Sequence, residues 1–394
     1  MRHDEHTAEK GRNDVEDQNR DRDRHGKPRD GVSMYTIANI RPFGHNVGNH
    51  AIHVALRQML YKAFGRLVSI IEIPATTMFS ESGMAGLTPA SVHAINRFAD
   101  GVIVGGGNLF ENNALDIEAE ALTALQPPLM LFSNSWGRIF DRFERLALRS
   151  DSMSAAKLKL LLSRADISLS RDSATSQLAQ SLSEKDQLGW CPTIGLSLYQ
   201  NILPSLPAGE EVGALISVRT PQLMNIPYRF QNQIPRLIDR AIDCLRQAGH
   251  NRIRILCNDS RDLDFATIFR FSRSVDSVFA SDIYEYLSLL SQASLVVSFR
   301  LHATLPAISY GTPAVNISYD ERAECLIRDL GVERASLDLV RLGPSFEDAL
   351  AERILTGGYG PAEHQEVASG WRSKVEFQLD SLRRFKSLVS DYTH

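Results

Sequence analysis

From Met34 onward the chain alternates short apolar runs with longer amphipathic segments, and this alternation limits its fold more than any other feature. MYTIANI reads as a strand. A Gly/Asn-rich turn follows, then HAIHVALRQMLYKAFG with apolar residues at helical spacing and Gly65 as a stop. LVSIIEI is a second strand, ASVHAINRFA a helix, and DGVIVGGG a strand entering a glycine turn. PPLMLFSNSWG and ADISLSRD supply two more strands, the latter entering the helix SATSQLAQSL. Strands alternating with helices predict βαβ units and a parallel sheet.

The pattern then restarts. EVGALISVR, RIRILCND, SLVVSFR and PAVNISY read as strands, and IPRLIDRAIDCLRQAG, DIYEYLSLLSQA and LHATLPAISYG as helices. The seam falls in NILPSLPAGEE (201–211), which holds two Pro and a Gly and lacks periodicity. The expected class is α/β, with two Rossmann-like domains facing each other across a cleft. Their expected bounds are 33–204 and 205–345, followed by a helical tail at 346–394. The amphipathic stretch 370–389 is expected to cross back onto the first half. Ligands of such sheets sit beyond the carboxyl ends of the strands, so the loops just after strands carry the functional question.

A length of 394 residues fits two cores better than one. Residues 1–30 hold eight Lys/Arg and nine Asp/Glu but only Met1, Ala8 and Val15 as apolar residues, so 1–32 is expected to be a disordered charged tail. It lacks the apolar stretch of a signal peptide, and its alternating signs argue against a basic arm. The formal charge of −4 argues against a nucleic-acid partner. No apolar run is long enough to span a bilayer, so a cytoplasmic protein is expected. The cysteines, Cys191, Cys244, Cys257 and Cys325, form no CxxC pair. No metal is expected either at His45, His50 and His53, which have no Cys or paired carboxylates around them.

After the first strand comes GHNVGNHAI. Asn46, Gly48 and Asn49 lead into a helix whose free N–H groups suit an anion or a sugar hydroxyl, although a plain strand-to-helix turn reads equally well. After the third strand, Gly105, Gly106, Gly107 and Asn108 let backbone approach a ligand, or let elements pack closely. Neither loop has the spacing of a dinucleotide or Walker motif. Trp136 in SNSWGR stands as a sugar-stacking candidate or a buried loop anchor. Asp172 reads as a helix cap. In the second half, Arg219 ends ISVR and Arg300 ends VVSFR, with Leu301 and His302 following. Two arginines and a histidine at strand exits of one sheet form a candidate anion site, since guanidinium forks bind carboxylate or phosphate and histidine moves protons near neutral pH. The alternative is an interface salt bridge for Arg300 and a capping role for His302.

The segment SFRLHATLPAISYGTP with AVNISYDER (298–322) closely resembles the signature of the polysaccharide pyruvyl transferase family. GGGNLF (105–110), NVGNHAI (46–52), SRD (170–172) and ISVR (216–219) match it in the same order. The resemblance implies a GT-B-like fold and transfer of pyruvate from phosphoenolpyruvate to a sugar as a cyclic ketal, with phosphate released. It implies that Arg219, Arg300 and Leu301 hold the donor and that His302 and Arg300 are catalytic. Asn46, Gly48, Asn49, Gly106, Gly107, Asn108 and Trp136 would lie on the acceptor side or its loops. No cofactor or metal is implied beyond phosphoenolpyruvate as donor substrate. The acceptor would be a sugar of an exopolysaccharide or a lipid-linked glycan, reached by peripheral contact with the inner membrane face.

The chain departs from the family pattern in places. Asn49 stands where the family usually has Asp, and Cys191-Pro192 where a DP pair is common. The loop at 133–138 keeps only Gly137. Two rival functions fit the same scaffold: a nucleotide-sugar glycosyltransferase, and a glycan-binding relative without catalysis.

Overall fold

The computed structural model describes residues 34–393 other than 45, 142, 200 and 204–210. The charged N-terminal stretch, His45 and most of the seam lie outside the described residues.

The first half runs β1 (Tyr35–Arg41), α1 (Val47–Phe64), β2 (Val68–Pro74), α2 (Pro89–Phe98), β3 (Gly101–Gly107), α3 (Ala119–Ala124), β4 (Leu129–Asn134), β5 (Arg138–Phe140), β6 (Leu146–Leu148), α4 (Ala155–Arg164), β7 (Ile167–Ser170), α5 (Ser173–Gln180) and β8 (Asp186–Leu188). Six of these strands form a parallel sheet in the order β2-β1-β3-β4-β7-β8. Every residue of β3 and β4 is buried, as expected for strands covered by helices on both faces.

The second half runs β9 (Ala214–Val218), α6 (Tyr228–Gln231), α7 (Ile234–Gln247), β10 (Ile253–Cys257), α8 (Leu263–Arg273), β11 (Asp276–Phe279), α9 (Ile283–Gln292), β12 (Leu295–Ser298), α10 (Leu301–Ser309), β13 (Ala314–Ser318), α11 (Glu321–Asp329), β14 (Ser336–Asp338), α12 (Leu339–Leu342), α13 (Phe346–Leu355) and α14 (Pro361–Thr393). Its parallel sheet has the order β11-β10-β9-β12-β13-β14. In both sheets the chain works outward from a central strand and then returns to build the other side. The two switch points therefore lie between β1 and β3 and between β9 and β12, where a crevice opens beyond the strand ends.

The predicted strands and helices from MYTIANI to PAVNISY are present. Several elements escaped the sequence reading. The antiparallel hairpin β5–β6 has strands of three residues each, too short to show alternation. Helices α4, α8 and α11 and the short edge strands β8, β11 and β14 were also unread.

Helix α14 packs back across the first half. Phe385 and Val389 lie against the space above Gly101, and the Tyr35 and Ser390 hydroxyls are 3.2 Å apart. Nearer its start, Trp371 Nε1 donates to the Leu330 carbonyl of the second half at 2.8 Å. One apolar cluster accordingly runs through both halves, joining Leu56 and Phe64 of α1 with Leu290 of α9, Leu305 of α10 and Phe385 of α14. No helix among the described residues is long and apolar enough to cross a membrane.

Candidate active site

The two halves enclose a cavity of about 400 Å³. The first half contributes Asn46, Asn108, Glu111, Asn112, Arg149 and Arg171; the second contributes Arg219, Arg261, Arg300, Leu301, His302, Tyr319, Asp320 and Arg322, among others. The cavity therefore spans both switch points.

Arg219 and Arg300 meet there because of strand register. β9 and β12 are paired neighbours, with Ser217 opposite Ser298. The Phe299 N–H continues the ladder to the Ser217 carbonyl at 3.0 Å. Arg219 and Arg300 each follow two residues after this last pair, and both line the cavity. Burial and then the charge of Arg300 lower the pKa of Arg219. A charge pairs each of them from behind. Arg219 Nη1 is 3.4 Å from Asp259 Oδ2, and Arg300 Nη2 is 3.5 Å from Asp262 Oδ2.

His302 lies in the first turn of α10, half-buried at the cavity wall. Burial, followed by the positive charges of Arg171, Arg322 and Arg300, holds its pKa well below the ordinary 6.5, so it is neutral at pH 7. Its Nδ1 is buried with no hydrogen-bond partner. The backbone of His302 is fixed by Tyr286, whose hydroxyl donates to the His302 carbonyl at 3.1 Å. Asn258 Nδ2 donates to that hydroxyl at 2.5 Å, and Ser217 Oγ donates to Asn258 Oδ1 at 2.7 Å.

Four cavity arginines were not read as site residues from sequence. Arg171 is 2% exposed and donates from Nη2 to Ser135 Oγ at 2.8 Å; burial first, then Arg322, lowers its pKa. Arg322 pairs with Asp320 at 2.8 Å and with Glu111 across the cleft. Burial opposes its charge, but Asp320 and Glu111 outweigh it and raise the pKa. Burial also raises the pKa of Glu111, against the pull of Arg322. Arg149 forks onto Asp151 at 2.6 and 2.7 Å, and Arg261 onto Asp259 at 2.6 and 2.8 Å. A local signal existed: Ser-Arg-Asp follows a strand in each half, at 170–172 and 260–262, and supplies Arg171 and Arg261.

The first-half candidates divide. Asn46 and Asn108 line the cavity. Asn46 also caps α1, accepting the Gly48 N–H at 3.0 Å. Gly48 makes room for His302: a Cβ there would lie 2.4 Å from His302 Cβ. Gly106 serves helix packing, since its φ is +70° and a Cβ would lie 2.3 Å from Ile52 Cγ2 of α1. Gly107 and Asn49 sit beside each other and are not on the cavity lining. Trp136 is 4% exposed in the first half's apolar core, so it is the buried loop anchor and offers no face for ring stacking. Of the histidines outside the cavity, His53 has Nδ1 3.1 Å from Asn39 Nδ2, and its Nε2 meets Glu72. Glu72 also accepts from Arg41 Nε at 2.7 Å. Burial opposes its charge, yet His53 and Arg41 hold its carboxyl at about 2. This cluster ties β1, β2 and α1 together. Asp172 accepts the Thr175 N–H at 2.9 Å, confirming its capping role, while burial raises its pKa to about 6.

The hairpin β5–β6 joins the halves beside the cavity. Arg138 Nε donates to Glu321 Oε2 at 2.8 Å, and Glu144 meets Arg229 Nε at 2.6 Å. Asp329 Oδ2 accepts the Ser173 N–H of the first half at 2.7 Å.

Comparison with known proteins agrees with this architecture. The structure of S. aureus MnaA with UDP superposes with a TM-score of 0.51 at 13% identity, covering 84% of this chain and 92% of that one. A UDP-GlcNAc 2-epimerase from Methanocaldococcus jannaschii, in complex with UDP-GlcNAc and UDP, gives a TM-score of 0.48 at 10% identity, over 82% of this chain and 91% of the other. The fold is thus α/β with two Rossmann-like domains, GT-B-like, as the sequence indicated. No curated protein sequence matches the chain. A family model described as polysaccharide pyruvyl transferase matches residues 46–321, which include the loops at both switch points. The chain belongs to the polysaccharide pyruvyl transferase family.

Proposed function

We propose that the protein transfers pyruvate from phosphoenolpyruvate to two hydroxyls of one sugar, forming a cyclic ketal and releasing phosphate. The observation that carries this reading is that Arg219 and Arg300, each two residues past the Ser217–Ser298 pair of adjacent strands, open with His302 into one cavity between two domains. Two guanidinium forks match a small trianion that carries a phosphate and a carboxylate. The N-terminus of α10, beginning at Leu301, adds free N–H groups to the same wall.

The reaction needs two C–O bonds to form at C2 of the donor and the C2–O–phosphate bond to break. C3 gains one of the two hydroxyl protons and becomes a methyl group; the other leaves with phosphate. His302 is neutral at pH 7, so it first acts as a base toward an acceptor hydroxyl. A bound trianion offsets the charges of Arg171, Arg322 and Arg300 that depress its pKa. The proton taken is then held beside the donor, from where it reaches C3. The acceptor approaches from the first-half wall, where Asn46, Asn108 and Asn112 line the cavity and their amides suit sugar hydroxyls. We place an exopolysaccharide or lipid-linked sugar there, which would bring the protein to the inner membrane face.

Incubation with phosphoenolpyruvate and candidate glycosides tests this reading. Phosphate release matched by pyruvate mass on the sugar is expected, with loss of both in His302→Ala and Arg300→Ala. Unchanged turnover in those variants contradicts the assigned roles. Glycan binding without phosphate release favours a non-catalytic relative.

A further inference from the structure

Asp262 is fully buried beside Arg219 and Arg300. Its Oδ1 accepts the Thr220 N–H at 2.9 Å and the Thr220 hydroxyl at 3.0 Å, which fixes the carboxylate. Its Oδ2 lies 3.5 Å from Arg300 Nη2, and Oδ1 lies 4.0 Å from Arg219 Nη1. These separations pair charges without forming a hydrogen bond to either guanidinium. Asp262 Oδ2 and Arg300 Nη2 are both buried and both lack a hydrogen-bond partner. Asp259 contrasts with this: it accepts two close hydrogen bonds from Arg261.

A carboxylate placed this way has two effects of opposite sign. It offsets the mutual repulsion of Arg219 and Arg300. It also repels whatever anion the arginines bind, because a fully buried carboxylate faces the same guanidinium groups at short range in a low-dielectric setting. Asp262 takes up no guanidinium N–H of either arginine in a hydrogen bond. If Asp262 only positioned the arginines, a close bidentate bond would do so better. The loose geometry instead suits a resident counter-anion that weakens anion binding.

We propose that Asp262 is a built-in competing anion that limits the affinity of the Arg219–Arg300 pair, so that the phosphate product is released. The inference rests on the phosphoenolpyruvate reading of the cavity. Removing the charge while keeping the Thr220 contacts strengthens binding of every anion in the site. Product leaves more slowly, and turnover falls although substrate binds better.

The test is calorimetric titration of inorganic phosphate into the wild type and Asp262→Asn, with steady-state kinetics on phosphoenolpyruvate. The variant is expected to bind phosphate at least about tenfold more tightly. KM and kcat are expected to fall together. An unchanged or weaker phosphate affinity, or a raised KM, means that Asp262 only holds the arginines in place and overturns the proposal. If Asp262→Asn does not fold, Asp262→Ser keeps a hydroxyl acceptor for Thr220 and carries the same expectation. Binding of phosphate by the wild type without tightening in the variant sinks this proposal alone. A wild type that binds neither phosphate nor phosphoenolpyruvate sinks the cavity reading with it.

Discussion

The Asn258 carbonyl accepts the Val47 N–H at 2.9 Å, so the loop after β10 holds the first turn of α1 across the cleft. The same residue supports His302 through Tyr286 and is itself held by Ser217. One buried amide therefore sets the position of the histidine relative to both domains. Asn258→Ala leaves the Ser217 and Tyr286 hydroxyls without these partners. We expect a loss of about 2–4 kcal/mol in stability, read by denaturant unfolding. Tyr286→Phe removes only the last link, and kcat/KM is expected to fall more than stability does. Equal kcat/KM in wild type and Tyr286→Phe shows that the hydroxyl does not position His302.

Gly48 is a second constraint on the histidine. A methyl group at this position meets His302 Cβ at 2.4 Å, so one of the two backbones must move. Gly48→Ala is expected to lower kcat/KM by roughly 100-fold, the size seen for displacements near 1 Å. Retained activity in a folded variant shows that the cleft absorbs the shift.

The acid limb of the pH profile reports the charge around His302. Its pKa is held well below 6.5 by burial, Arg171, Arg322 and Arg300. The base form therefore persists as pH falls through 6.5, and kcat/KM is expected to decline only at lower pH. Arg322→Gln removes one repelling charge, raises the pKa and moves the limb toward 6.5. An unmoved limb, or one already at 6.5 in the wild type, contradicts the assignment of His302 as the base.

Trp136 and Gly106 are expected to matter for folding alone. Gly106→Ala combines a left-handed φ with a 2.3 Å clash against Ile52, and about 2–4 kcal/mol of destabilisation is expected. Trp136→Phe keeps most of the apolar volume and is expected to leave kcat/KM unchanged. A rise in KM for the acceptor in Trp136→Phe returns the ring to the site.

These two residues show where sequence reading reached its limit. A glycine triplet at a strand end looks the same whether it admits a ligand or a helix, and only the position of Ile52 decides. A tryptophan beside Asn and Ser gives no sign of its burial. Arg219, Arg300 and His302 were legible because each follows a buried apolar strand, where a charge demands a reason. The strand pairing that sets the two arginines side by side was not legible, since register depends on contacts more than 80 residues apart. Arg149 and Glu111 stand in separate loops of the first half, and no local spacing announces them. GWCPTIGL (189–196), with Cys191-Pro192 where a DP pair is common, leads into a 3-10 segment at Pro192–Leu198 that packs against α10 and α14. That role needs small and apolar residues more than a charge.

Titration of the purified protein with phosphoenolpyruvate, alongside UDP-GlcNAc, tests the central claim most directly. Saturable binding of phosphoenolpyruvate that is lost in Arg219→Ala and Arg300→Ala, with no binding of UDP-GlcNAc, is the predicted result. Binding of UDP-GlcNAc with none of phosphoenolpyruvate contradicts the account and assigns the cavity to a nucleotide sugar.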